Sequence, residues 1–236
     1  MYLNFSRLRR LCMLCIVSFI SMVPLAQADV ALDLYHDWAT IKYGEQTDDE
    51  KKAALSALEL KLEALIKENA RNAEAKTILG TVKSTHAGLI GGFSALPHVK
   101  DAKKLLESAI KIDDKAMDGQ AHAILGALYL AVPSWPVGFG DDDKSMMHIK
   151  RALNIEPNSI DAHCFLGDYW LEHNKFERAK EAYDKALMIA PRSSNPAYKA
   201  ADIGRQSEVK SKQLVLAQKI ADKEARAAQK RKALND

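Results

Sequence analysis

Histidine and cysteine are the residues of this chain whose chemistry most directly suggests catalysis; the sequence has seven histidines and three cysteines. A thiol beside an imidazole can form a nucleophile–base pair, and His122 with Cys164 is the pairing to consider. His163 is adjacent to Cys164, but neighbours on a helix point about 100° apart and do not face each other. We therefore expect helix-packing histidines and a buried Cys164, and keep a thiol enzyme as an alternative.

Spacings typical of metal ligands are absent beyond residue 28, where neither His-Glu-x-x-His nor Cys-x-x-Cys occurs. The sequence therefore predicts no metal site and no cofactor. Residues 138–145 end in Lys-Ser but lack the glycine before lysine that a phosphate-binding loop needs, and three consecutive carboxylates would repel phosphate. They also lack the spaced ligands of a calcium loop. We expect Asp141 to cap the helix that follows.

Residues 1–28 read as a secretory signal peptide. Arginines at 7, 9 and 10 precede an uncharged apolar stretch, 11–25, which is shorter than the roughly 20 residues of a transmembrane helix. Ala26-Gln27-Ala28 fits a cleavage site after Ala28. We expect a periplasmic or secreted protein that is not inserted in a membrane after cleavage, with a retained anchor as the alternative. Cleavage also removes Cys12 and Cys15, which leaves no internal disulfide.

Composition and charge further restrict the class of protein. The chain has 236 residues, of which 47% are hydrophobic and 28% charged, which excludes a disordered or collagen-like protein. The net charge of +3 equals the three arginines of the leader. The rest is neutral, with −4 on residues 29–205 and +4 on residues 206–236. No nucleic-acid partner is indicated.

Apolar residues recur with helical spacing almost throughout, and alternating strand-like runs are absent. Ala53–Ile66 carries leucines at 55, 58, 60, 62 and 65, and Asp48 or Asp49 could cap this helix. Ala31–Asn69 as a whole looks like one helix pair. We predict an all-α fold.

One 34-residue pattern organises the chain. It is clearest around Leu166-Gly167, with Trp170, Ala179, Tyr183, Ala186 and Pro191 following at fixed offsets. This pattern resembles the tetratricopeptide repeat, a helix–turn–helix unit in which small residues let two helices approach and a proline ends the second. Leu125-Gly126 and Leu79-Gly80 open two similar units, with insertions of 7 and 10 residues between their helices.

The resemblance implies an α-solenoid over residues 29–205, followed by a C-terminal charged helix or tail at 206–236 whose first half caps the array. The two insertions should emerge at the same edge of the array. Either they pack on each other and on the array, which we favour, or they form an apolar docking surface. Their apolar residues are Leu89, Ile90, Phe93, Trp135, Val137 and Phe139.

The resemblance also implies a concave groove lined by the first helix of each unit. Repeat by repeat, its residues would be Glu74, Thr77, Thr81, Ser84 and Thr85; then Gln120, Ala123, Ala127, Leu130 and Ala131; then Asp161, Cys164, Asp168, Leu171 and Glu172. The groove would run from hydroxyl-rich through apolar to acidic. It would suit an extended peptide with apolar and basic residues, or an amphipathic helix. The alternative occupant is the chain's own C-terminal helix.

The function implied is an exported, non-enzymatic interaction or scaffold module that binds a peptide or a partner protein. A narrower resemblance is to the periplasmic T-component of tripartite ATP-independent transporters, exported helical-repeat proteins that partner a substrate-binding protein. That group is typically lipid-anchored, whereas this leader lacks a lipidation site. A small-molecule pocket between the insertions is a further alternative.

Overall fold

Local capping signals start several of the helices. In the computed structural model, which describes residues 23–235, Thr47 caps the second helix by a reciprocal pair of hydrogen bonds with Glu50. The prediction of Asp48 or Asp49 as the cap was wrong, because both belong to the first turn. The predicted cap at Asp141 is confirmed, since its side chain accepts a hydrogen bond from the Lys144 backbone.

The described residues form helices and turns, with no strand among them beyond one isolated bridge at 134 and 140. The all-α prediction is thereby confirmed. The helices are α1 (Val23–Tyr43), α2 (Asp48–Glu68), α3 (Ala73–Ile90), α4 (Leu96–Ile112), α5 (Ala116–Ala131), α6 (Asp142–Ile155), α7 (Ile160–Glu172), α8 (Phe176–Met188) and α9 (Pro196–Asn235), with a 3-10 turn at Phe93–Ala95.

Most of the predicted leader, residues 1–22, lies outside the described residues, and the predicted cleavage site falls within α1. Among the described residues, no helix combines the length and apolar character that crossing a membrane requires.

Successive helices pair into hairpins, α3 with α4, α5 with α6, and α7 with α8, and each hairpin packs on the next. A glycine marks the closest approach in each pair. A Cβ on Gly167 would lie 2.3 Å from the ring of Tyr183, and one on Gly126 would lie 2.6 Å from Ile149. These contacts explain why the repeat pattern requires a small residue there.

Helix α9 runs back across the array and packs against α1, α7 and α8. Val209 and Leu216 are buried in the last core cluster, whereas Ile203 and Leu214 face solvent. The predicted boundary at 205 lies within α9. The helix continues to Asn235, and residues 221–234 are exposed.

The entry to α9 is fixed by a salt-bridge cluster. Arg192, between α8 and α9, donates to Asp202 at 2.7 and 2.9 Å and to Asp118 at 3.1 Å. Asp118 lies between Met117 and Gly119 in a turn whose three φ angles are 51°, 57° and 75°. Regular helix in α5 therefore begins only after this left-handed turn, and Arg192 ties that turn to α9.

Candidate ligand-binding groove

The inner half of the predicted groove is covered by the chain's own terminal helices. Asp161 is buried and is contacted from α9 by Arg205, whose Nε donates to its carboxylate. Gln120 Nε2 donates to the other carboxylate oxygen at 2.8 Å. Thr77, Ala123 and Cys164 are buried as well. Helix α9 thus covers the groove at Asp161, and the other four predicted residues are buried in the packing of the array and its terminal helices.

A chain of opposite charges holds α9 in this place. Arg205 Nη1 donates to Glu208 Oε2 at 2.7 Å, and Lys42 of α1 donates to the same oxygen at 3.2 Å. The Arg205 guanidinium also lies 4.7 Å from the ring centre of Phe165. Burial lowers the pKa of Lys42 to about 8. Burial is the largest single influence on the pKa of Asp161 and would raise it, but Arg205, Gln120 and Lys42 together outweigh burial, and the pKa is lowered.

The outer half of the groove remains open as a cavity of about 770 Å³ between the array and the terminal helices. Most of the predicted groove residues at the ends of the first helices line it, whereas Glu74 does not. They are Thr81, Ser84, Thr85, Ala127, Leu130, Ala131, Asp168, Leu171 and Glu172. Helix α1 closes one wall, where Trp38 Nε1 donates to Thr85 Oγ1 at 2.9 Å.

The terminal helices change the charge of this cavity. Asp168, predicted to be part of an acidic end, accepts Lys212 Nζ at 2.8 and 2.9 Å and the Tyr183 hydroxyl at 2.7 Å. Lys51 and Lys219 also line the cavity. Cationic side chains therefore outnumber carboxylates in its lining: Lys42, Lys51, Arg205, Lys212 and Lys219 against Asp168, Glu172 and Glu208.

The two insertions meet beside this cavity. A second cavity of about 420 Å³ is lined by Phe93 and Leu96 from one insertion and Val132 and Pro133 from the other. The linings of the two cavities share Ser84, Gly88, Leu128 and Ala131, so the cavities are adjacent.

The insertion side chains divide between packed and exposed. Phe139 packs edge-on against Tyr129, with ring centres 5.5 Å apart, and Leu89 lines the larger cavity. Phe93 is 77% exposed and Trp135 is 85% exposed. The remaining two predicted residues are the exposed Val137 and the half-buried Ile90. The favoured expectation of packing therefore holds for Phe139 and Leu89, whereas Phe93 and Trp135 are exposed.

The environment of Cys164 does not favour a nucleophile. The thiol is fully buried, and burial raises its pKa to about 12. His122 Nδ1 lies 2.8 Å from His148 Nδ1, and His163 Nε2 lies 3.0 Å from the Pro157 carbonyl oxygen. Both histidines thus have hydrogen-bond partners other than Cys164, and the geometry of a thiol–imidazole dyad is not formed.

One side-chain cluster is not indicated by the sequence pattern. Glu59, His86 and His98 place one potential ligand atom each within 4.8 Å of one another. They come from α2, α3 and α4, so no local spacing in the sequence indicates them. Only a prediction of how the three helices pack would have brought them together.

The fold and groove define an all-α array of helical hairpins of the tetratricopeptide type. The sequence model of the tetratricopeptide repeat matches residues 160–193, and this segment therefore belongs to that repeat family. The match coincides with the unit that the sequence pattern identified around Gly167.

Two of the solved structures that are similar to this chain serve as examples. One is TTC0263, a thermophilic TPR protein of Thermus thermophilus, with 19% identity over 77% of this chain and 93% of that chain and a TM-score of 0.47. The other is MamA, with 18% identity over 76% of this chain and 99% of that chain and a TM-score of 0.42. No curated protein matches the chain. The resemblance to the transporter T-component finds no support in these comparisons.

Proposed function

We propose that the protein is an exported interaction module that binds a short segment of a partner protein in the open half of its groove. The coarse role rests on the fold, because tetratricopeptide repeats serve mainly as protein-interaction scaffolds. The observation that carries the finer role is the 770 Å³ cavity bounded by the first helices of the repeats and by α1 and α9. A cavity of this volume holds a few residues of an extended chain rather than a whole helix.

Export follows from the leader at residues 1–28, which would deliver the module to the periplasm or the outside of the cell. The basic segment 206–236 has a role inside the fold, since Lys212 pairs with Asp168 just beyond the pair of Arg205 with Asp161. Its charge is therefore partly neutralised by the chain itself. Nothing in this pattern calls for a nucleic-acid partner.

The chemistry of the cavity points to an apolar segment with a carboxylate group. Ala127, Leu130 and Leu171 supply apolar contact, and Thr81 and Ser84 add hydroxyl groups beside them. The sequence had suggested a basic ligand because of its acidic groove end. Helix α9 neutralises part of that end and brings further lysines, so an acidic side chain or a free carboxyl terminus fits better.

Selection from a random peptide display library tests this proposal. Peptides recovered on the wild-type protein should combine apolar residues with Asp, Glu or a free C-terminus. Ala127→Phe fills the cavity and should abolish their binding, whereas Ala57→Phe, at an exposed position of α2 away from the cavity, should leave it unchanged. Binding that survives Ala127→Phe, or a set of uniformly basic peptides, would contradict the proposed site.

A further inference from the structure

We propose that Glu59, His86 and His98 form a binding site for a divalent transition-metal ion, with Zn²⁺ as the ion of best fit. The three residues lie on α2, α3 and α4, and their ligand atoms are all within 4.8 Å of one another. His86 Nδ1 lies 2.8 Å from Glu59 Oε1, and the rings of His86 and His98 have centres 4.9 Å apart. This site is separate from the groove and does not depend on the function proposed for it.

The spacing suits the coordination of zinc. Zinc binds imidazole nitrogen and carboxylate oxygen at about 2.0–2.2 Å, so tetrahedral ligand atoms stand roughly 3.3 Å apart. The observed separations, from 2.8 Å between Nδ1 and Oε1 up to 4.8 Å across the cluster, lie on both sides of that value. Side-chain rotations within the cluster would bring all three atoms to one ion.

The surroundings of Glu59 favour a cation although a lysine lies close. Lys83 Nζ binds the second oxygen, Glu59 Oε2, at 2.7 Å, which leaves Oε1 directed at His86. Lys83 also pairs with Glu63 at 3.3 Å. The two carboxylates outweigh the single ammonium, so the local charge without a metal is negative. Lys83 then orients the carboxylate, as outer partners of metal ligands commonly do.

Burial fixes the positions of Glu59 and His86, while His98 is only half-buried. The side chains of Glu59 and His86 are 12% and 10% exposed, so their positions are fixed by packing. His98, near the start of α4, is half-buried. A metal ion could enter there and keep a fourth position for water or for an outside ligand.

The donor set limits the choice of metal. Two imidazoles and one carboxylate suit Zn²⁺, Cu²⁺ or Ni²⁺ better than Mg²⁺ or Ca²⁺, which prefer oxygen alone. Metal binding at His86 Nδ1 would replace its hydrogen bond to Glu59 and would require the tautomer that carries its proton on Nε2. Since His86 lies near the end of α3 and His98 near the start of α4, the ion would join these helices across the segment that carries Phe93.

Titration of the full chain with Zn²⁺ in a calorimeter, and with Co²⁺ followed by its visible absorption, tests the site. We expect one equivalent bound and the d–d bands of tetrahedral Co²⁺. His98→Ala should weaken Zn²⁺ binding at least tenfold. His36→Ala, which removes an exposed histidine of α1, and His148→Ala, which opens the other histidine pair, should leave the affinity unchanged.

The proposal would be overturned by a lack of binding in the wild-type chain, by binding that survives His98→Ala, or by loss of binding in His148→Ala. A thiolate-to-cobalt charge-transfer band would also refute it, since it would place the ion on cysteine instead. His98 is not fully buried, so its removal should leave the fold intact. Circular dichroism of each variant checks this, and Glu59→Gln, which keeps the side-chain volume, provides a second ligand variant with the same expected loss.

Discussion

Replacement of Arg205 by methionine should show how strongly the chain holds α9 in its own groove. The guanidinium is 4% exposed, its Nε donates to the buried carboxylate of Asp161, and it lies against the ring of Phe165. Methionine keeps the apolar packing but removes the charge. Asp161 then keeps the hydrogen bond from Gln120 but loses its cationic partner.

The expected loss of unfolding free energy in Arg205→Met follows from the burial of both charges of the pair. Removal of one partner of a buried ion pair costs about 3–5 kcal/mol, because the remaining charge is left without compensation. A chain of this size shifts its melting temperature by roughly 2–4 °C per kcal/mol. We therefore expect Arg205→Met to melt at least about 6 °C below the wild type. Lys199→Met, an exposed lysine of the same helix, should change stability by less than about 0.5 kcal/mol.

A double-mutant cycle, measured by urea unfolding, isolates the interaction energy between Arg205 and Asp161. Asp161→Asn keeps the shape of the side chain and its capacity to accept from Gln120, but removes the charge. The double variant Asp161→Asn/Arg205→Met leaves no unpaired charge buried between these two positions. Its loss of unfolding free energy should therefore be smaller than the sum of the two single losses by about 2 kcal/mol or more.

Additive losses of unfolding free energy in the cycle would refute this reasoning. If the double variant loses as much as the two single variants together, or if Arg205→Met costs less than about 1 kcal/mol, the pair does not hold α9 in the groove. The same outcome would reopen the inner half of the groove to an outside ligand.

Three further predictions concern the repeats and their titratable groups. Gly167→Ala should destabilise the protein by about 1–3 kcal/mol in urea unfolding, because the added Cβ would meet the Tyr183 ring. Gly88→Ala, whose added Cβ would meet nothing within 4 Å, should stabilise the protein by up to about 1 kcal/mol. Equal effects of the two substitutions would contradict this prediction. Cys164 should resist alkylation in the folded state and react only in denaturant, since its pKa is about 12 and it is buried; rapid native labelling would contradict it. Burial lowers the pKa of His122 to about 4 in the folded protein. As the pH falls, the unfolded state therefore binds the proton before the folded state does. The free energy of unfolding should decrease between about pH 6.5 and pH 4, by roughly 3 kcal/mol at most. His122→Gln should flatten the pH dependence of the melting temperature in that window, and an unchanged slope would contradict the assignment.

The repeat unit could be predicted from sequence because its signals are local. Gly167 and Tyr183 belong to one hairpin, and their contact needs only the geometry of two adjacent helices. The cap at Asp141 is equally local. The cap at Thr47 was missed because three consecutive residues could each have taken that place, and the choice among them depends on where the first helical turn closes.

The candidate site depends on contacts that no local pattern encodes. The sequence alone determined the repeat hairpins, since small and aromatic residues recur at fixed offsets, while the groove residues were only implied by the resemblance to the tetratricopeptide repeat. The tertiary structure decided what covers that groove and what charge its open half carries, because Arg205 meets Asp161 and Lys212 meets Asp168 across 44 residues of chain. It also decided that the ligand atoms of α2, α3 and α4 share one cluster. Such pairings are set by the return of α9 and the stacking of helices, which arise from the balance of burial and charge over the whole molecule.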